Sequence, residues 1–177
     1  MFPKALRGLS PCFIFIFLAA SFSPAAAFQS FDEFIKSGSA DRHVRIQATV
    51  DPPQAASGSS FKLILSISID EGWHIYSLNE PSEGEPVASR IQMAESPFLA
   101  QGKWSEQESQ VTFDGVLERV VQMHLKSAEF VRNFLIPDPL APGTYPISGT
   151  LVFRACDNRV CTLPHELTFR TLVQVDE

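Results

Sequence analysis

Cys156 and Cys161 stand near the end of the chain with four residues between them, in the run Phe153-Arg154-Ala155-Cys156-Asp157-Asn158-Arg159-Val160-Cys161-Thr162-Leu163-Pro164-His165-Glu166. Cysteines this close can form a structural staple, exchange disulfides, or bind a metal. Asp157-Asn158 supplies turn chemistry between them, and a bond across the turn requires the Cα atoms to come within about 7 Å. Composition favours the staple, because paired cysteines in an exported protein are usually bridged. One magnitude weighs the other way. A loop of about six residues contributes only roughly 2 kcal/mol in the chain-entropy model, and short disulfides at strand ends are the labile kind. Zinc is disfavoured, since Cys156, Cys161 and His165 make three ligands without the usual two-residue knuckle, so no metal or other cofactor is expected. Nucleophilic hydrolysis by a Cys–His pair needs a base placed by the fold, which spacing alone does not supply. Arg154 and Arg159 would lower a thiol pKa and Asp157 and Glu166 would raise it. An imidazolium at His165 would favour the thiolate, although a structural role for His165 leads.

The compartment follows from the start of the chain. Lys4 and Arg7 precede the apolar run Cys12 to Ala20, and Ala25-Ala26-Ala27 offers a small-x-small cleavage site, the layout of a secretory signal peptide. The run falls short of the roughly 20 residues that span a bilayer. Cleavage after Ala27 is expected, leaving about 150 of the 177 residues, a length that suits one domain. It removes Cys12, which turns three cysteines into one pair. It also removes two cations, taking the net charge from −6 to about −8. An acidic chain without basic clusters argues against nucleic acid and anionic lipid as partners. No later stretch is apolar for long enough to cross a membrane, so no insertion is expected after cleavage.

The remaining chain must position the pair, and its pattern is that of strands. Residues 28–42 read as an N-terminal arm, with a short helix possible over Phe28 to Lys36. The period then becomes two. Val44, Ile46, Ala48 and Val50 share one face, and Phe61, Leu63, Leu65, Ile67 and Ile69 share another, as half-buried strands require. Further strands are expected over Trp73 to Leu78, Val87 to Ala94, Leu117 to Lys126, Phe130 to Ile136, Tyr145 to Ala155 and Glu166 to Val175. Asn79 to Pro86 reads as a loop with Glu80, Glu83 and Glu85 as solvated acids, and the pattern weakens between Glu95 and Gly115. About eight short strands with Pro and Gly punctuation and no long helix predict an all-β sandwich over residues 43–177. Trp73 and Tyr76 are expected to pack in it, and His74 and His124 to face solvent.

Gly72-Trp73-His74-Ile75-Tyr76-Ser77-Leu78-Asn79-Glu80-Pro81, followed much later by Cys156-Asp157-Asn158-Arg159-Val160-Cys161-Thr162-Leu163-Pro164, resembles the N-terminal periplasmic domain of the disulfide reductase DsbD. The resemblance covers roughly His43 to Val175 and rests on the order and separation of two motifs. It implies an immunoglobulin-like β-sandwich in the periplasm with a redox-active cysteine pair. It also implies a function: a protein-disulfide reductase module that shuttles electrons, as in cytochrome c biogenesis. Cys161 would form the mixed disulfide and Cys156 would resolve it. Electrons would come from a thioredoxin-like donor or a membrane electron transporter and pass to oxidised periplasmic proteins. Because the sequence ends at Glu177, the donor is expected to be a separate protein. The family's cap over the cysteines corresponds to Glu106 to Gly115, with Phe113 as the cap aromatic and Glu106, Glu108 and Asp114 as the nearby acids. Thr162 stands where the family has an aromatic residue. A second function class stays open, an immunoglobulin-like binding or assembly module whose disulfide is only a staple.

Overall fold

The computed structural model describes residues 43–79 and 88–176. The expected signal peptide, the expected arm before His43, all but Asn79 of the expected loop Asn79 to Pro86, and the expected strand start at Val87 lie outside the described residues.

Among the described residues there are twelve strands: β1 (Val44–Asp51), β2 (Gln54–Ala56), β3 (Ser60–Ile69), β4 (His74–Tyr76), β5 (Arg90–Met93), β6 (Leu99–Glu106), β7 (Gln110–Asp114), β8 (Arg119–Leu125), β9 (Ser127–Leu135), β10 (Gly143–Phe153), β11 (Ala155–Cys156) and β12 (His165–Asp176). They form three four-stranded sheets, ordered β1-β3-β9-β6, β2-β12-β10-β5 and β11-β4-β8-β7. The first two pack face to face as an immunoglobulin-like sandwich. β1 pairs antiparallel with β3 in one sheet, while β2, three residues on, pairs parallel with β12 in the other. The expected alternation explains the core: Phe61, Leu63 and Leu65 of β3 and Phe130 and Phe134 of β9 meet Ile147, Leu151 and Phe153 of β10 and Phe169, Val173 and Val175 of β12. Gly149 belongs to that packing, since a Cβ there would lie 2.6 Å from Cζ of Phe169 and 2.5 Å from the Gln92 carbonyl oxygen.

The third sheet closes one end of the sandwich and carries the cysteines. Ile75 of β4 and Ala155 of β11 point into the sandwich core. On the opposite face Tyr76, Val121, Met123 and Cys156 make a second apolar cluster, with Leu117 and Cys161 packed against it. β4 is therefore covered on both sides, and all three of its residues are buried.

Several expectations need correction. His74 and His124 are 5% and 2% exposed rather than solvent-facing, because neither face of this sheet is open where they stand. The expected alternation of Leu117 to Lys126 breaks at its end, where His124 turns inward against the Phe130 ring (centroids 5.6 Å apart) and Leu125 is left exposed. Glu95 to Gly115, where the pattern weakens, is nonetheless rich in strand. It contains β6, an edge strand whose register shifts between Gln101 and Ser105 around Gly102 at positive φ, and β7, the edge of the third sheet. Bulged and exposed edges carry no clean alternation. The expected strand Tyr145 to Ala155 is two strands, since the chain leaves β10 at Arg154 and crosses to the third sheet as β11.

Candidate functional site

The site is assembled by sheet register. Cys156 of β11 lies opposite His74 of β4, and Tyr76 lies opposite Met123 of β8. Asp114, the last residue of β7, lies opposite Arg119. Paired residues point to the same face of a sheet, so His74, Tyr76, Asp114 and Cys156 converge although up to 82 positions separate them in the chain.

Cys156 and Cys161 are joined by a disulfide, with Cα atoms 4.1 Å apart. The turn between them is held locally. Oδ1 of Asp157 accepts hydrogen bonds from the amides of Arg159 (2.6 Å) and Val160 (2.7 Å), which hold its carboxyl below the usual range. Thr162 ties the exit of the turn back to β11. Its amide donates to the Ala155 carbonyl (2.9 Å), and its hydroxyl oxygen accepts from the Ala155 amide (3.2 Å). The two sulfurs differ in access: Cys156 is fully buried, Cys161 is partly exposed, and Val160 and Leu163 beside it stand 54% and 71% exposed.

The Tyr76 hydroxyl lies 3.1 Å from Sγ of Cys156 and 3.6 Å from Sγ of Cys161. It donates to Oδ2 of Asp114 at 2.6 Å. A phenol has one proton, so with that proton committed to Asp114 and no proton on either disulfide sulfur, the oxygen touches the sulfurs without a hydrogen bond and becomes an acceptor only for the thiols of the reduced pair. Oδ1 of Asp114 accepts from the amides of Val116 (2.8 Å) and Leu117 (2.9 Å), and Oδ2 also meets Nε2 of His74 at 3.2 Å. An ionised carboxylate only accepts, so this imidazole nitrogen carries a proton. Burial pushes the Asp114 carboxyl up, but the bonds from Tyr76, Leu117, Val116 and His74 outweigh it and hold the group below its usual value. Burial dominates at His74 and lowers its pKa, opposed by Asp114 and Asp157. Burial and the Asp114 charge together push the Tyr76 phenol far above its usual value. At neutral pH the cluster is a neutral phenol and a neutral imidazole on an ionised carboxylate.

A second buried carboxylate braces the same strand. Oε1 of Glu106 accepts from the Ser77 hydroxyl (2.5 Å) and the Asn79 side chain (2.6 Å). Oε2 accepts from the Leu78 amide (3.0 Å) and Nε2 of His124 (2.9 Å). Burial raises this carboxyl, but the donors prevail and its pKa is lowered.

The other residues singled out from sequence fall as follows. Phe113 alternates with the buried Asp114, is 63% exposed, and clusters with Val111 and Val120 on the outer face of the β7–β8 hairpin. Glu108 is exposed in the connection between β6 and β7. His165 opens β12 opposite Phe153, its ring 6.5 Å from the Phe153 ring, with no hydrogen bond to either sulfur among the described residues. Tyr76 packs as expected, but its oxygen on both sulfurs was not anticipated. Its only sequence signal is the spacing His74-Ile75-Tyr76, which puts two polar tips on one face of a strand. Among the described residues no three His, Cys, Asp or Glu side chains are grouped to hold a metal ion, and no helix is long and apolar enough to cross a membrane.

No protein-family model and no curated protein matches this sequence. Solved structures similar in fold include the N-terminal periplasmic domain of ScsB from Proteus mirabilis, 19% identical over 71% of this chain and 45% of that one, with a TM-score of 0.47. Another is the N-terminal domain of Neisseria meningitidis DsbD in the reduced form, 14% identical over 76% of this chain and 88% of that one, with a TM-score of 0.43. BcpA, the major pilin subunit of Bacillus cereus, is similar at 8% identity over 75% of this chain and 39% of that one, with a TM-score of 0.43. The chain spans less than half of the ScsB chain.

Proposed function

We propose that this protein is a periplasmic thiol–disulfide exchange module in which Cys161 attacks and Cys156 resolves. The observation that carries the reading is the asymmetry of the pair: one sulfur reachable, the other buried against a phenol that is itself held on a carboxylate. A structural staple needs no such surroundings.

In the reduced protein the Cys161 thiolate attacks one sulfur of an oxidised partner. The partner's S–S bond breaks, and its leaving thiolate takes a proton from water. Cys161 and the partner are now joined. The Cys156 thiol gives up its proton and attacks Sγ of Cys161, the mixed disulfide breaks, and the second partner thiolate leaves and is protonated. One dithiol is oxidised and one disulfide reduced. The Tyr76 oxygen accepts the Cys156 S–H and aims that sulfur, and Asp114 draws on the far side of the phenol. Val160 and Leu163 give the partner an apolar landing beside Cys161. Phe113 on the β7–β8 hairpin and Glu108 in the β6–β7 connection remain the candidates for a cap, and His165 is assigned no chemical part. Donors are a thioredoxin-like protein or a membrane electron transporter, and acceptors are oxidised exported proteins, including those of cytochrome c biogenesis.

The test is capture. Cys156→Ser leaves Cys161 unable to resolve, so mixed disulfides with exported proteins accumulate on it, and Cys161→Ser captures nothing. A Cys156→Ser protein that traps no partner, with a wild-type reduction potential below about −300 mV, the range of structural disulfides, leaves the staple as the answer.

A further inference from the structure

One member of the cluster has no part yet in the exchange. His74 lies beside the resolving sulfur in register and shares with Tyr76 the same oxygen of Asp114. Its ring also lines a cleft of about 330 Å³ between the β3–β4 turn and the β7–β8 hairpin, so solvent protons reach a side chain that is otherwise buried. One nitrogen is committed to Asp114 and the other is free to titrate.

We propose that His74 gates the resolving step. As a neutral imidazole it positions Asp114 to receive the Cys156 proton through Tyr76, and as an imidazolium it pins Asp114 as an ion-paired carboxylate and closes that path. The inference rests on the exchange reading above. With the gate open, the S–H bond of Cys156 breaks as its sulfur bonds Sγ of Cys161 and the partner thiolate departs. The proton passes to the Tyr76 oxygen as the phenol proton moves to Oδ2 of Asp114 and from there to the departing thiolate or water. No proton is gained or lost overall, and the only oxidant is the partner disulfide. With His74 charged, Asp114 loses proton affinity. A neighbouring cation lowers a carboxyl by about 1–3 pKa units. If half of that is felt in the transition state, the step slows by about threefold to thirtyfold.

Other charges face the imidazole. Tyr76 lies on its own strand, Asp114 on β7, and Arg119 opposite Asp114 on β8. Cys156 is on β11, with Asp157 one residue beyond. Asp70 and Glu71 of the β3–β4 turn and Lys126 after β8 share the cleft. Asp157 favours the charged imidazole and burial opposes it more strongly, so the gate closes below pH 6.5. His43 is the nearby imidazole that must be separated, because it stacks on Trp73 of the same cleft at 3.9 Å.

The experiment is stopped-flow reaction of the reduced protein with stoichiometric Ellman's reagent from pH 5 to 7.5. A first, concentration-dependent release of thionitrobenzoate reports attack by Cys161. A second, concentration-independent release reports resolution by Cys156. In the wild type the second rate falls through an inflection below pH 6.5. His74→Gln keeps a donor for Asp114 but cannot titrate, so its inflection disappears. Its ratio of rates at pH 5 and pH 7.5 exceeds the wild-type ratio by about threefold to thirtyfold. His43→Gln keeps the inflection. A second phase with the same profile in His74→Gln and wild type overturns the gate and leaves the exchange reading standing. Absence of any second phase in the wild type overturns both. Should His74→Gln not fold, NMR titration of the His74 ring in the reduced wild type decides, because its midpoint must coincide with that of the rate.

Discussion

Glu106→Gln and Glu106→Ala separate a carboxylate that holds the third sheet in place from one that acts on the cysteines. Glu106 ends β6 in the sandwich, and all four of its bonds reach into β8 or the turn after β4. Its side chain is 8% exposed and that of His124 is 1% exposed. The two oxygens are not equivalent. At Oε1 both donors can adapt, since the Ser77 hydroxyl rotates and the Asn79 amide can turn its oxygen inward. At Oε2 the Leu78 amide can only donate. A glutamine therefore places its NH₂ at the Oε1 position, keeps an acceptor for Leu78, and loses mainly the charge assistance of its bonds, about 1–2 kcal/mol. Alanine leaves the Leu78 amide and His124 without their acceptor, two buried donors at about 1–3 kcal/mol each. The assay is urea unfolding and thermal unfolding at pH 7 with the disulfide intact, both read by Trp73 and Trp104 fluorescence. Alanine should lower the melting temperature by about 10 °C, taking roughly 2–4 °C per kcal/mol for a chain of this size. An alanine cost under about 1 kcal/mol, or equal costs for the two variants, refutes the clamp.

Tyr76→Phe removes an oxygen that touches both sulfurs and Asp114. The second thionitrobenzoate phase should slow by at least about tenfold, and stability should fall by about 1.5–3 kcal/mol for the lost bond to a charged group. Gly149→Ala must push either the Phe169 ring or the β5 backbone at Gln92, an overpacking cost of about 1–3 kcal/mol read as a lower urea midpoint. Acid acts through the two buried carboxylates. Asp114 and Glu106 titrate below their ordinary values of 3.8 and 4.5, so their contribution is fully present above those values. It is lost as pH falls through the lower folded ones. Melting temperature should hold down to about pH 4.5 and then drop, less steeply in Asp114→Asn.

The sandwich was legible because its strands are wetted on one side: β1 and β3 alternate without error, and their partners β9, β10 and β12 nearly so. The site was less legible for the same physical reason. Where β4 is covered on both faces, period two no longer separates core from solvent. His74 and His124 then look like exposed polar residues, and the only mark of their burial is a carboxylate 40 positions away for one and 18 for the other. Asp114 itself was visible as an acid near the expected cap. Its register opposite Arg119, which decides that it meets a phenol rather than solvent, is fixed by a hairpin too exposed to show a pattern. The chemistry of Cys156 therefore depends on residues that local sequence cannot group. Tyr76 and Asp114 are set by strand pairing across 80 and 42 positions, and a substitution that shifts β7 by one residue would turn Asp114 outward and Phe113 inward. Such a slip would put an aromatic ring against the phenol and remove the carboxylate that accepts the phenol proton. The end of β7, more than the cysteine turn, is thus where the proposed exchange activity is most easily lost with the disulfide still able to form.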